Sequence, residues 1–276
     1  MYKLKFTGQC SRDEFERRCA EHDFWYHSYY FDNGFVQRGD YDIGRDIAGY
    51  GFPKDMTGMS VLDVGTGSGW FATFFEQLGA DVTTVDVRGH SDFDEFGWYQ
   101  NPDISTEKRG PDRILLDGRA IYYSPVSKGF WIMKDILGLR AEYLNVRAYD
   151  LNPAAFGGRT FDLVFAGSVL MHLRDPIGAL MAMRKVCHGC LIATSLIPAA
   201  PEDESMLLMR LLAPETEPNA WWVPNKRCFE QWFLGAGFSR VAAIRTITLT
   251  VDKPYLSPDG KASAANHTQH LAEVYV

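Results

Sequence analysis

Between about residues 59 and 250, short dense apolar runs alternate with longer stretches whose apolar side chains recur every three or four positions. The runs at 61–64, 81–86, 142–146, 162–166 and 190–195 are nearly continuous in apolar and β-branched residues, the pattern of strands covered on both faces of a parallel sheet. The stretches at 70–78, 130–137 and 177–186 carry the helical period, and 226–235 follows as a further helix. Strands separated by helices predict an α/β fold with a doubly wound, mostly parallel sheet, and crossover handedness leaves few topologies for it. Residues 240–251 and 270–276 are β-rich and close the pattern.

The first two strands bracket the most informative segment. Met59-Ser60-Val61-Leu62-Asp63-Val64 runs into Gly65-Thr66-Gly67-Ser68-Gly69-Trp70, and the next strand ends at Asp86-Val87. Glycines at alternate positions let the backbone turn tightly and bring main-chain N–H groups close to a ligand. An acid about 20 residues on stands where a carboxylate accepts ribose hydroxyls. The pattern predicts a nucleoside site. A dinucleotide fingerprint needs G-x-G-x-x-G, and Trp70 occupies the third glycine's place. No Gly-Lys-Ser/Thr follows, which excludes a phosphate-gripping loop.

Composition narrows the class. With 276 residues, 46% hydrophobic and 23% charged, the chain has the make-up of a soluble globular enzyme. No apolar run is long enough to span a membrane and the amino terminus lacks a secretory apolar stretch, so a cytoplasmic protein without a membrane partner is expected. A net charge of −7 gives no support to a broad phosphate-binding surface, so nucleic acid is not the expected partner. Cys187 and Cys190 have C-x-x-C spacing but no second pair, which reads as buried structural thiols. No metal-ligand cluster is visible, and no metal is expected.

The segment from Asp63 to Gly69 resembles motif I of the class I S-adenosylmethionine-dependent methyltransferases, Asp-x-Gly-x-Gly-x-Gly. The resemblance implies a Rossmann-like sheet of seven strands whose last two form an antiparallel end. It implies that Asp63, Gly65, Thr66, Gly67, Ser68 and Gly69 hold the methionine end of the cofactor, and that Asp86, with Val87 beside it, holds the ribose. Asp150 and Leu151 follow the third strand, where the family often places an acid on the adenine amino group; Asp150 could equally cap a helix start at Asn152-Pro153-Ala154. The stretch from Arg159 to Pro176 resembles motif IV, so Ala166, Gly167 and Ser168 are expected to line the cofactor. S-adenosylhomocysteine would be the product.

Trp25-Tyr26-His27-Ser28, Leu170-Met171-His172-Leu173-Arg174-Asp175-Pro176 and Ala220-Trp221-Trp222-Val223-Pro224-Asn225 resemble one subfamily, which includes the tRNA wobble-uridine carboxymethyltransferases. Here only about 58 residues precede the core and the chain is acidic, so a small-molecule methyl acceptor is expected. An RNA-modifying enzyme is the alternative, with Arg109, Arg113, Arg119 and Lys128 as a basic strip. A non-catalytic cofactor-binding protein is another.

Two aromatic-rich segments are expected to cover the acceptor: residues 1–58, and a lid-like insertion at about 88–128 within the domain at 59–276. Trp25 and its neighbours Tyr26, His27, Tyr29 and Tyr30 suit a wall around a sulfonium, whose charge favours ring faces. Where the acceptor carries a proton, His172, His27 and Tyr26 are the candidate bases, in that order. His172 also reads as a structural histidine that fixes its loop.

Overall fold

The computed structural model describes residues 1–87, 94, 113–116, 119–122, 127–198, 205–212, 220–253, 255–256, 262–263 and 266–276. Its centre is a seven-stranded sheet built from β1 (Ser60–Val64), β2 (Asp81–Asp86), β3 (Glu142–Asn145), β4 (Phe161–Ala166), β5 (Cys187–Leu196), β6 (Arg240–Leu249) and β7 (His267–Tyr275). In space the order is β6-β7-β5-β4-β1-β2-β3. Strands β1 to β5 pair in parallel, while β7 runs antiparallel to both β5 and β6, as expected for the end of the sheet.

Side chains of a strand alternate between faces, and here both faces are buried. Val61, Leu163, Phe165 and Ile192 enter one core, while Leu62, Val64, Val164, Ala166 and Leu191 enter the other. That two-sided burial is why these strands read as unbroken apolar runs. On the first face lie helix α1 (Arg12–Cys19), α2 (Trp70–Gln77) and α3 (Lys128–Leu137). On the second lie α4 (Pro176–Val186) and α5 (Lys226–Gly235). Phe71, Phe74 and Phe75 pack α2 against the sheet, and Phe71 sits 4.4 Å from Phe165 between ring centroids. Trp70, in the third-glycine position, turns away from the turn and stacks on Phe74 at 5.3 Å.

Several boundaries differ from the sequence reading. Strand β5 starts at Cys187, so the C-x-x-C pair lies within a strand; burial pushes the Cys187 thiol up to about 11 and the Cys190 thiol up to about 12. Strand β7 begins three residues early, at His267, because its pairing with β6 continues to Leu249. Helix α4 begins at Pro176, whose missing N–H costs nothing at a first turn, with Asp175 accepting from Gly178 N at 2.8 Å. Residues 1–58 do not form a separate layer. Leu4, Phe15, Trp25, Tyr29, Phe31 and Tyr50 share one core with α2, α3 and β4. Among the described residues no helix is long and apolar enough to cross a membrane. Most of the 88–128 segment, including Arg109 and the side chains of Arg113 and Arg119, lies outside the described residues.

Candidate functional site

The chain leaves β1 to build β2 and β3 on one side, then crosses to build β4 and β5 on the other. In such sheets the crevice for a ligand opens at the carboxyl ends of the strands where the order reverses, here between β1 and β4. The glycine turn fills that place. Gly65 (φ +74°) and Gly69 (φ +84°) adopt left-handed backbone conformations. A Cβ on Gly65 would come within 2.5 Å of Val169 Cγ2, and one on Gly69 within 2.7 Å of Phe130 Cδ2, so neither position has room for a side chain. Gly65 N–H donates to Val85 O at 2.8 Å, and Gly69 N–H to Thr66 O at 2.9 Å. Gly69 then caps α2, accepting from Thr73 N at 3.0 Å.

Asp63, on β1 just before the turn, is 1% exposed, and its Oδ2 has no hydrogen-bond partner among the described residues. Thr66 Oγ1 is buried as well and lies beside the Asp63 carboxyl, with no other partner among the described residues. Burial raises the Asp63 pKa to about 7, opposed by the neighbouring Thr66 hydroxyl and reinforced by the charge of Asp86. Buried polar atoms left unmatched are costly and point to a missing partner. A ligand bearing a cationic or N–H donor fits this position, as the α-ammonium of S-adenosylmethionine does.

Asp86 closes the other side of the turn. Its Oδ2 accepts from Gly67 N at 3.1 Å and its Oδ1 from Val87 N at 2.8 Å. Burial of the carboxyl lifts its pKa to about 6 against the pull of these two donors. Each oxygen keeps a lone pair, so the group can accept two ligand hydroxyls from a fixed pose. Val87 therefore orients Asp86 through its backbone.

On the β3 side, Asp150 ends a single turn of 3₁₀ helix (Ala148–Asp150), and Leu151 is buried. The capping alternative for Asp150 is overturned. Asn152 is the cap of Pro153–Phe156, its side chain accepting from Ala155 N at 3.2 Å, so the exposed Asp150 carboxylate has no such duty. Nearby, Asp94 accepts from Arg147 at 3.3 Å, from Arg174 N at 2.9 Å and from the Tyr149 hydroxyl. The Trp221 indole donates to Asp94 O and lies beneath the Arg174 guanidinium, 5.2 Å away, while Trp222 Nε1 donates to Arg174 O at 3.0 Å.

Ala166 ends β4 and is buried; Gly167 and Ser168 follow. Ser168 has φ +56°, an uncommon conformation for a residue with a side chain. It is held by Thr194, whose Oγ1 accepts from Ser168 N at 2.8 Å, and by Gln269 Nε2, which donates to Ser168 Oγ at 2.9 Å. His172 is half-buried in the 3₁₀ turn Leu170–His172, and its N–H donates to Val169 O at 2.9 Å. The carbonyl of Met171 accepts from Trp221 N at 2.7 Å, fixing that loop.

The amino-terminal segment meets the glycine turn directly. Tyr26 N–H donates to Ser68 Oγ at 3.0 Å, and the Tyr29 hydroxyl donates to Ser68 O at 2.6 Å. Trp25, expected against the cofactor, is instead 4% exposed beneath the turn: its ring touches Gly129 and its Nε1 donates to Cys19 O at 3.2 Å. It supports Ser68 from behind. His27 must also be withdrawn as a base. It is 5% exposed, enclosed by Tyr26 and Phe71, and burial drives its pKa down to about 3.

Sequence reasoning missed the side chains that come from β7. His267 and Gln269 both stand at the carboxyl edge of the sheet, opposite Leu249 and Ile247 of β6. The signal that would have found them is two polar residues at i and i+2 opening the strand ahead of the buried Leu271 on the same face. Also missed was Asp252, which accepts from Ser28 Oγ at 2.6 Å and Tyr30 at 2.8 Å and pairs with Arg38 at 3.1 Å, tying the two ends of the chain together.

Comparisons with known proteins agree with this fold. The tRNA U34 carboxymethyltransferase of Ectopseudomonas mendocina is 25% identical over 205 residues, and that of Pseudomonas syringae pv. syringae is 28% identical over 205 residues. Each alignment covers 72% of this chain and 51% of the relative, so the chain spans about half the length of the curated relatives it matches. The solved amino-terminal domain of EvdMO1, with S-adenosylhomocysteine bound, shares the fold at 15% identity and a TM-score of 0.57, covering 97% of this chain and 98% of that domain. Residues 39–243 match a family model described as a methyltransferase domain. That span runs from the amino-terminal wall through the glycine turn and β4 into β6, and the chain belongs to the methyltransferase-domain family, on the class I S-adenosylmethionine-dependent fold.

Proposed function

We propose that this chain transfers a methyl group from S-adenosylmethionine to a small-molecule acceptor. The observation that carries the reading is the buried Asp63 carboxyl, whose Oδ2 is unmatched, with the buried Thr66 hydroxyl beside it, set across one glycine turn from the doubly braced Asp86. When bound, the cofactor supplies a methyl carbon already activated by a sulfonium. Asp63 and Thr66 would receive its amino-acid end, Asp86 its ribose hydroxyls, and Asp150 with the Leu151 backbone its adenine. Ala166, Gly167 and Ser168 line the transfer edge. The chain's own task is to orient the acceptor and exclude water. His172 and Tyr26 border that edge on its two walls, one after β4 and one against the glycine turn.

The net charge of −7 favours a small molecule over a polyanion. A second reading, carboxymethyl transfer to tRNA, draws support from the names of the relatives at 25% and 28% identity. Thermal unfolding with S-adenosylmethionine, S-adenosylhomocysteine, carboxy-S-adenosylmethionine and NAD in parallel tests both. A ligand at a hundred times its Kd stabilises by about 2.7 kcal/mol, several degrees for a chain of this size. Shifts with the first two and none with NAD uphold the cofactor. Preference for the carboxylated form transfers the argument to tRNA, and no shift with any sulfur nucleoside refutes the proposal.

A further inference from the structure

Loops that leave β2, β3 and β4 at the carboxyl edge of the sheet meet on one carboxylate. Asp94 follows Asp86 in the connection after β2, and its side chain is 9% exposed. From the loop after β3 it accepts from the Arg147 guanidinium at 3.3 Å and from the Tyr149 hydroxyl. From the loop after β4 it accepts from Arg174 N at 2.9 Å. Tyr149 carries the link one residue further, its oxygen accepting from Asp175 N at 3.2 Å, where α4 is capped. Burial raises the Tyr149 pKa to about 12, opposed by the Asp175 N–H and reinforced by Asp94, so the hydroxyl is protonated and donates to the carboxylate. The Arg147 guanidinium also lies 5.4 Å from the centre of the Tyr149 ring, so the two gripped side chains brace each other.

Both residues that Asp94 takes from the β3 side belong to the turn that carries Asp150. Arg147 caps the 3₁₀ turn Ala148–Asp150, Tyr149 lies within it, and Asp150 N–H donates to Arg147 O at 2.9 Å. Asp150 is exposed, so the direction of its carboxylate is set by the turn on which it stands. A single turn of this kind holds its shape poorly by itself, because one hydrogen bond must fix several backbone dihedrals. The buried Leu151 fastens its far end, and the grip of Asp94 on Arg147 and Tyr149 fastens the near one. Bonds to an ionised acceptor are about twice as strong as neutral ones, which suits a carboxylate to this task. We propose that Asp94 is a positioning residue, which sets the Asp150 turn against the loop after β4 so that Asp150 meets the adenine amino group and nucleosides without that group are rejected. Asp94 acts through Arg147 and Tyr149. The proposal rests on the methyltransferase reading of the cofactor site.

Calorimetry on the full chain compares S-adenosylhomocysteine with S-inosylhomocysteine, which carries an oxygen where adenine carries its amino group. Wild-type protein is expected to bind the first about tenfold more tightly or better, the scale of one hydrogen bond to a charged group. Asp94→Ala removes the carboxylate but keeps the backbone carbonyl that takes the Trp221 indole. It is expected to weaken S-adenosylhomocysteine about tenfold and to leave the inosyl analogue within about twofold, so the preference collapses. Asp150→Ala is expected to show the same collapse. Tyr149→Phe cuts the links to Asp94 and Asp175 while keeping the carboxylate, and is expected to lower the preference about threefold. That variant carries the test should Asp94→Ala fail to fold. A merely structural role weakens both ligands by the same factor. Such an equal loss, no loss in the Asp94 and Tyr149 variants, a preference kept by Asp150→Ala, or a wild type without preference overturns the proposal. Absence of S-adenosylhomocysteine binding to wild-type protein refutes the cofactor reading itself.

Discussion

Replacing Asp63 by asparagine is expected to make the ligand-free protein more stable at alkaline pH while destroying its use for cofactor. The carboxyl is 1% exposed, and burial lifts its pKa from 3.8 to about 7. A carboxyl raised in this way binds protons more readily in the folded chain than in the unfolded one. Its cost to stability is therefore absent below the unfolded pKa and grows as pH rises to the folded value. At about 1.4 kcal/mol for each pKa unit, the cost approaches roughly 4 kcal/mol at pH 8 and is roughly half that at pH 5. Asparagine keeps the shape, removes the charge and brings hydrogen-bonding needs of its own, so 4 kcal/mol is about the ceiling of the gain. At about 2 °C per kcal/mol, Tm at pH 8 rises by up to roughly 8 °C. Thermal unfolding of both proteins at pH 5 and pH 8, each with and without S-adenosylhomocysteine, measures all the quantities involved. Wild-type protein is expected to gain several degrees from the ligand at pH 8 and Asp63→Asn close to none. A variant less stable than wild type at pH 8, or a difference that does not shrink towards pH 5, refutes the argument that the site stores an unpaid burial cost for its ligand.

Gly65→Ala places a Cβ within 2.5 Å of Val169 on a backbone at φ +74°, so a loss of about 1–3 kcal/mol in urea unfolding and a large loss of S-adenosylhomocysteine affinity by calorimetry are expected. Tyr29→Phe removes the 2.6 Å bond to Ser68 O and leaves a buried carbonyl unmatched; it is expected to cost about 1–3 kcal/mol and to weaken the cofactor as well, although Tyr29 lies behind the turn. Binding to bulk tRNA, followed by filter retention across a salt series, is expected to be weak and nearly flat; a steep fall with rising salt supports the nucleic-acid reading instead.

The sheet and the glycine turn were legible because their signals are local. Two-sided burial writes an unbroken apolar run, and a turn that excludes a Cβ at Gly65 and Gly69 writes glycine. The same holds for Asp63 and Asp86, whose places are fixed by strands that end beside them. Trp25 and His27 were misjudged for the opposite reason. Polar-tipped rings in a segment without regular structure look like a pocket wall, and only the tertiary fold shows that Cys19, Gly129 and Phe71 enclose them. His267 and Gln269 escaped notice because their significance lies in partners far away, Tyr41 and Ser168, that no sequence window contains. Asp150 shows the intermediate case: a local rule offered two duties, and the neighbouring Asn152 took one of them.

The bond from Ser28 to Asp252 joins positions 224 residues apart, and the bridge from Tyr41 to Val251 does the same for the backbone. During synthesis the glycine turn leaves the ribosome long before Val251 and Asp252, which Tyr41 and Ser28 contact. A nascent chain released short of residue 252 has β1 to β5 and the Tyr26–Ser68 contact, but lacks the bond from Ser28 to Asp252 and has no β7. Contacts of such long sequence separation also form slowly, since the loop they close must first be ordered. The order of maturation is thereby written into the topology: the glycine turn and its parallel strands first, and the contacts that fasten the amino-terminal segment only once the carboxyl-terminal strands have come home.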